Sequence, residues 1–150
     1  MNVKNGERGP QVGLVSLLVQ LNKAIHRRST EEMLGMRLKA YMALGYIRDH
    51  PGATQQELET GLVMDANSVV LILNELEARG FSIRRRDPND RRRHIVEVTA
   101  TGQRAIERAD KAREELEDDL CAALTPEERK TLRSLAERLL DTILRQEARA

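Results

Sequence analysis

A mainly α-helical chain carrying one small β-hairpin is the fold class the sequence predicts. Apolar residues recur at helical spacing along most of the 150 residues. One stretch breaks that rhythm: Phe81 to Arg86 and His94 to Val98 read as two strands around the turn-forming cluster Asp87-Pro88-Asn89-Asp90. Capping patterns at Thr54-Gln55-Gln56-Glu57 and Thr125-Pro126-Glu127-Glu128 mark helix starts on either side of it.

Residues 1–10 are polar, with Gly6, Gly9 and Pro10, and read as a loose tail. A first helix is predicted from about Gln11 to Arg28, with Leu14, Leu17, Leu18, Leu21 and Ile25 on one face and Val12, Val15 and Val19 on a second. So broad an apolar surface on a terminal helix calls for a cover, which a second subunit supplies. A second helix is predicted over Glu31 to Asp49, also with two apolar stripes. His50-Pro51-Gly52 stops it, because the residue before a proline avoids the helical region. The capping box at Thr54 opens a short helix through about Thr60, punctuated by Gly61. Asp65 caps the next helix, whose Val69, Ile72, Leu73 and Leu76 share one face and which Arg79 and Gly80 close. After the hairpin, Thr99 or Thr101 caps a charged helix running to about Ala123, with Ile106, Ala109, Leu116 and Leu120 as its sparse apolar residues. The last helix carries Leu132, Leu135, Leu139, Leu140, Ile143 and Leu144, a seam that would pair with the first helix in a homodimer. The expected organisation is one domain over 1–150, with dimerisation helices at 11–30 and 101–148 and a lobe at 31–100 whose hairpin spans 81–98.

Composition narrows the function classes. The net charge is only +1, but arginine concentrates at 84–93 and acid at 107–119. Aromatic residues make up 2% with no Trp, which argues against a stacking platform for single-stranded nucleic acid. The lone Cys121 excludes an internal disulfide and an all-cysteine zinc site, and His26, His50 and His94 form no ligand motif. There is no nucleophile elbow, phosphate loop or metal motif, so no enzyme and no cofactor are expected. Val12 to Leu21 is the only stretch resembling a signal peptide; Ser16 and Gln20 interrupt it and no small-residue cleavage site follows. No stretch reaches transmembrane length. A cytoplasmic protein is expected.

Six arginines, Arg84, Arg85, Arg86, Arg91, Arg92 and Arg93, crowd the shoulders of one turn, and Asp87 and Asp90 offset only part of their repulsion. A charge run is ordinarily a solvated face, but a polyanion such as DNA phosphate also relieves it. A helix followed at once by a basic hairpin is a winged helix-turn-helix pattern, with the helix in a major groove and the hairpin on neighbouring backbone or minor groove. Short helix, turn, longer helix is the matching spacing upstream. It puts Thr54, Gln55 and Gln56 near a phosphate. The longer helix turns Asn67, Leu71 and Asn74 outward, flanked by Ser68, Val70 and Glu75.

Leu76-Glu77-Ala78-Arg79-Gly80, Ile83-Arg84-Arg85, Asp87-Pro88-Asn89-Asp90-Arg91-Arg92, and Val98-Thr99 with Gly102 together resemble the signature of the MarR family of bacterial transcription regulators. The resemblance implies a homodimeric repressor on a pseudo-palindromic double-stranded operator, with half-sites about one helical turn apart. It aligns Arg92 with the arginine that enters the minor groove and Asp90 with the acid that orients it. The DNA-contact set is then Thr54, Gln55, Gln56, Asn67, Ser68, Leu71, Arg84, Arg86, Asp90, Arg91, Arg92 and Arg93. Relatives often carry a polar residue and an arginine where Val70 and Leu71 stand. The apolar pair suits thymine methyls, or else the helix reads little sequence and DNA shape does more. The resemblance also implies a pocket for a small aromatic or phenolic acid where the second helix meets the dimer helices and the lobe, drawing on His26, Met36, Arg37, Tyr41, Met42 and Tyr46. Taken singly, these residues also read as core or solvent-facing. Relatives that sense peroxide place their cysteine in the first helix. Cys121 sits instead beside Asp118 and Asp119, where acid disfavours a thiolate, and reads as packing. Two rival readings remain: a winged-helix module that binds protein through Val70 and Leu71, and a thiol enzyme built on Cys121.

Overall fold

Apolar side chains at i, i+3 and i+4 spacing draw four helices and a hairpin around one core. The computed structural model describes residues 13–149; the expected tail at 1–10 and the predicted helical residues Gln11 and Val12 lie outside them. The elements are α1 (Leu14–Arg28), α2 (Glu31–Leu34), α3 (Leu38–Asp49), α4 (Gln55–Leu62), α5 (Ala66–Ala78), β1 (Ser82–Arg86), β2 (His94–Val98), α6 (Ala100–Leu120) and α7 (Pro126–Arg149). The core joins Ala40, Ala43, Leu44 and Ile47 of α3, Leu58 of α4, Val69, Ile72, Leu73 and Leu76 of α5, and Ile106 and Ala109 of α6. Val96 of β2 closes it from the hairpin side. The strands pair antiparallel, Ser82 opposite Val98 through Arg86 opposite His94.

The mainly helical class with a two-stranded hairpin is what the sequence led us to expect, and so are the Asp65 cap and the buried face of α5. The predicted second helix is two helices. Gly35 adopts φ 78°, ends α2 and turns the chain, and α3 starts after Arg37. The two apolar stripes seen in the sequence belonged to two axes, and Met36 between them is buried. Gly61 does not stop α4, which runs on to Leu62 and ends at Val63 with φ 53°. Phe81 precedes β1 and packs in the core with the Arg79 guanidinium 4.7 Å from its ring centroid. Thr99, not Thr101, caps α6, which ends at Leu120.

The two terminal helices behave differently from the rest. Neither α1 nor α7 has a buried residue. Leu14, Leu17, Leu18 and Leu21 on α1 and Leu132, Leu135, Leu139 and Leu140 on α7 are all exposed. Among the described residues, no helix is long and apolar enough to cross a membrane.

Candidate nucleic-acid interface

The arginine hairpin is fixed to the helix-turn-helix along one edge. Val96 N–H donates to the Ala53 carbonyl at 2.9 Å, and Ile95 forms a bridge with Thr54 beside it. The start of α4 and the wing are therefore one mechanical piece. Thr54, expected at a phosphate, is instead buried and committed to capping. Its hydroxyl accepts from Glu57 N at 3.2 Å and its own N–H donates to Glu57 Oε2 at 3.3 Å. Gln55 is half-buried and Gln56 exposed in the first turn of α4, where backbone N–H groups face outward.

On α5, Ser68 N–H donates to Asp65 Oδ1 at 2.8 Å and the Ser68 hydroxyl to Oδ2 at 3.1 Å. These bonds hold the Asp65 carboxyl below the usual range. Asn67 and Leu71 lie together on the outer face, Leu71 with 66% of its surface exposed.

The hairpin tip is ordered by its own acids. Asn89 N–H donates to Asp87 Oδ1 at 2.8 Å, Asp87 N–H to the Arg93 carbonyl at 2.9 Å, and Arg92 N–H to Asp90 Oδ1 at 3.1 Å. The Arg92 guanidinium reaches the same Asp90 oxygen at 3.4 Å and is otherwise open, its side chain 93% exposed. The other arginines divide. Arg85 pairs with Glu97 at 2.6 Å, and Arg93 lies 3.9 Å from Glu57 and 4.0 Å from Asp87. Arg86 and Arg91 are exposed at the tip. Arg84, expected among the DNA contacts, folds back on α5: its Nε donates to Glu77 Oε1 at 2.6 Å and its Nη2 to Asn74 Oδ1 at 2.5 Å.

The six expected ligand residues do not converge on one cavity. His26 and Arg37 share a cavity of about 220 Å³ with Ser29, Glu31, Leu38 and Lys39. Tyr46 lines a second, about 410 Å³, between α4 and Arg93, and its ring stacks on His50 at 4.0 Å. Met36 is core, not lining, and Met42 is exposed. Arg37 donates through Nε to both oxygens of Glu75 on α5, at 3.1 and 3.0 Å, which holds that carboxyl below its usual range.

Tyr41 belongs to a polar clasp between α3 and α6 that the sequence reading missed. Its hydroxyl donates to Asp110 Oδ1 at 2.5 Å and accepts from Arg113 Nε at 2.8 Å; Arg48 Nη1 donates to Asp110 Oδ2 at 2.6 Å. Burial, then the bond to Asp110, pushes the Tyr41 phenol up to about 12. Burial works against ionisation of Asp110, but the bonds from Tyr41 and Arg48 prevail and its carboxyl stays below the usual range. Arg113 continues to Glu117 at 2.8 Å, and Arg129 of α7 reaches Glu117 at 3.5 Å and Asp118 at 2.7 Å. Asp110 and Arg113 share the spacing of Ile106 and Ala109, so charges on a core-facing stripe were the available signal. Among the described residues, no cluster of His, Cys, Asp and Glu could hold a metal ion.

Comparison with known proteins agrees with this geometry. A MarR family model matches residues 34–93. A regulatory protein named for the hcr operon of Thauera aromatica is 35% identical over 99 residues, 66% of this chain and 60% of that protein's length. A crystal structure of MarR superposes with a TM-score of 0.78 at 30% identity, covering 97% of this chain and 100% of that one. A mutant MarR from E. coli, solved in complex with operator DNA, gives 0.75 at 27% identity over 85% of this chain and 93% of that one.

Proposed function

The chain belongs to the MarR family of winged-helix transcriptional regulators, and from that we propose that it is a homodimeric repressor of a pseudo-palindromic operator. In this reading α5 enters the major groove and Arg86, Arg91 and Arg92 reach the flanking backbone and minor groove. One observation carries it: three arginines stand open on a tip whose turn is locked by Asp87 and Asp90. Arg86 and Arg91 are exposed, and Arg92 keeps one 3.4 Å contact to Asp90 with its side chain 93% exposed; a wing that served only folding would have no need to hold these cations so open. Gln55, Gln56, Asn67 and Ser68 complete the contact surface, with Ser68, whose hydroxyl proton goes to the capping Asp65, left the lone pairs of its oxygen to offer.

The effector we propose is a small acid, of the aromatic or phenolic kind the family resemblance implies. The cavity holding His26, Arg37 and Lys39 supports it, since all three offer donors to a carboxylate. Occupying Arg37 would compete with Glu75 and so disturb α5, the link that release from DNA requires. The exposed Leu71 also suits a protein-binding face. Titrating salt against binding to an operator duplex separates the readings: DNA binding gives a steep negative slope, and a protein-docking module gives weak binding with little slope. Transcription in vitro from a promoter overlapping that duplex distinguishes repression, where output falls as protein is added, from activation. Adding small aromatic acids should restore output.

A further inference from the structure

The outer face of α5 carries an asparagine whose amide cannot turn. A guanidinium offers only donors, so the Asn74 atom 2.5 Å from Arg84 Nη2 is the carbonyl oxygen. Arg84 is held in turn by Glu77, through Nε at 2.6 Å and Nη2 at 3.1 Å. That leaves Asn74 with its NH2 group to present. A free asparagine pairs with adenine by donating to N7 and accepting from N6; here one lone pair of the oxygen and the orientation of the amide are taken by Arg84, so the NH2 group is the arm best placed to meet a base.

Resting on the reading of α5 as the major-groove helix, we propose that Leu71 and Asn74 together select a thymine. Leu71 lies three residues earlier on the same face, and its apolar end is open. Side chains at that spacing have Cβ atoms about 5–6 Å apart, close enough to address one base edge. Thymine alone sets an acceptor, O4, beside a methyl group. Cytosine presents a donor there, adenine pairs its acceptor with a donor, and guanine has acceptors without a methyl. Donor beside apolar tip is the complement of thymine.

Bound duplexes selected from a random pool by the full chain supply the operator. Anisotropy titrations then replace each of its thymines with uracil, which removes only the methyl. The expected result is one thymine per half-site where the change weakens wild-type binding about fourfold, roughly the loss of one buried methyl group, and does not weaken Leu71→Ala at all. Arg84→Met, which frees the amide, should make adenine better tolerated at that position. Thermal unfolding checks that Leu71→Ala keeps its fold, as its exposure implies. If uracil is neutral everywhere, or costs Leu71→Ala as much as wild type, the thymine assignment falls while the DNA reading stands. If no duplex binds at all, both fall.

Discussion

Single residues decide both the stability of the wing and its grip. Gly102 lies so close to the preceding loop that a β-carbon there would sit 2.0 Å from the Phe81 carbonyl oxygen. That oxygen already accepts from Thr99 N at 3.0 Å, and the Thr99 hydroxyl donates to the Gly80 carbonyl at 2.6 Å, so the loop has nowhere to retreat. Gly102→Ala should therefore destabilise the fold by about 3 kcal/mol, the upper range for overpacking. Urea denaturation would show it as a lower midpoint at unchanged slope, and an unchanged midpoint would mean the loop yields. Arg92 makes the opposite case. Among the described residues its one tie is to Asp90, on an exposed turn where such pairs contribute little. Arg92→Ala should leave urea unfolding where it is, weaken operator binding and reduce the salt slope by about 0.9, one phosphate's share. Equal slopes for variant and wild type would remove Arg92 from the contact surface.

At the level of elements, the α3–α6 clasp ties the winged-helix lobe to the helix that leads to α7. Its pH dependence follows from two shifts of opposite kind. The Asp110 carboxyl is lowered in the fold, so its stabilisation is complete above the ordinary value of 3.8 and is lost as pH falls through the folded value. The Tyr41 phenol is raised from 10.0 to about 12, so its contribution holds below 10.0 and is lost as pH rises towards 12. Tyr41→Phe should make the alkaline limb of the stability profile shallower, leaving the part due to Tyr46, and Asp110→Asn the acid limb, leaving the parts due to Asp65 and Glu75, as read by urea midpoints across pH. If both variants kept the wild-type limbs, the clasp would not be coupled to folding. The same elements explain what the sequence could carry. Asp65, the buried stripe of α5 and the turn chemistry of the hairpin are local, and local patterns showed them. The break at Gly35 was not legible because Leu34, Met36 and Leu38 are all apolar, and one helix or two predicts that equally well. The fold-back of Arg84 was not legible because charge counting sees six equivalent arginines, whereas strand register faces this one towards Glu77 and Asn74. The clasp joins residues more than sixty positions apart, so the stripe of Asp110 and Arg113 could flag charges facing the core but not their partners on α3.

Taken as a whole, the molecule leaves its two ends unfinished. Twelve large apolar residues on α1 and α7 stand exposed, from Leu14 and Val15 to Leu140 and Ile143. Covering each is worth roughly 1 kcal/mol, so two copies would recover on the order of 20 kcal/mol. That exceeds the roughly 4–15 kcal/mol of lost freedom on association. A second copy is the cover we propose, and the lobe should survive without it, because the core formed by α3 to α6 uses none of these residues. Leu135→Glu with Leu139→Glu places charges in the middle of the α7 stripe. The double variant should sediment as a monomer with its helix content retained. It should bind a duplex carrying one half-site about as well as a wild-type subunit does. On the full operator it should lose the gain from linking two reading heads, about 100-fold or more. Operator and half-site affinities that remain as far apart as in wild type, in a variant shown to be monomeric, would mean that the pairing of lobes on DNA does not run through these helices.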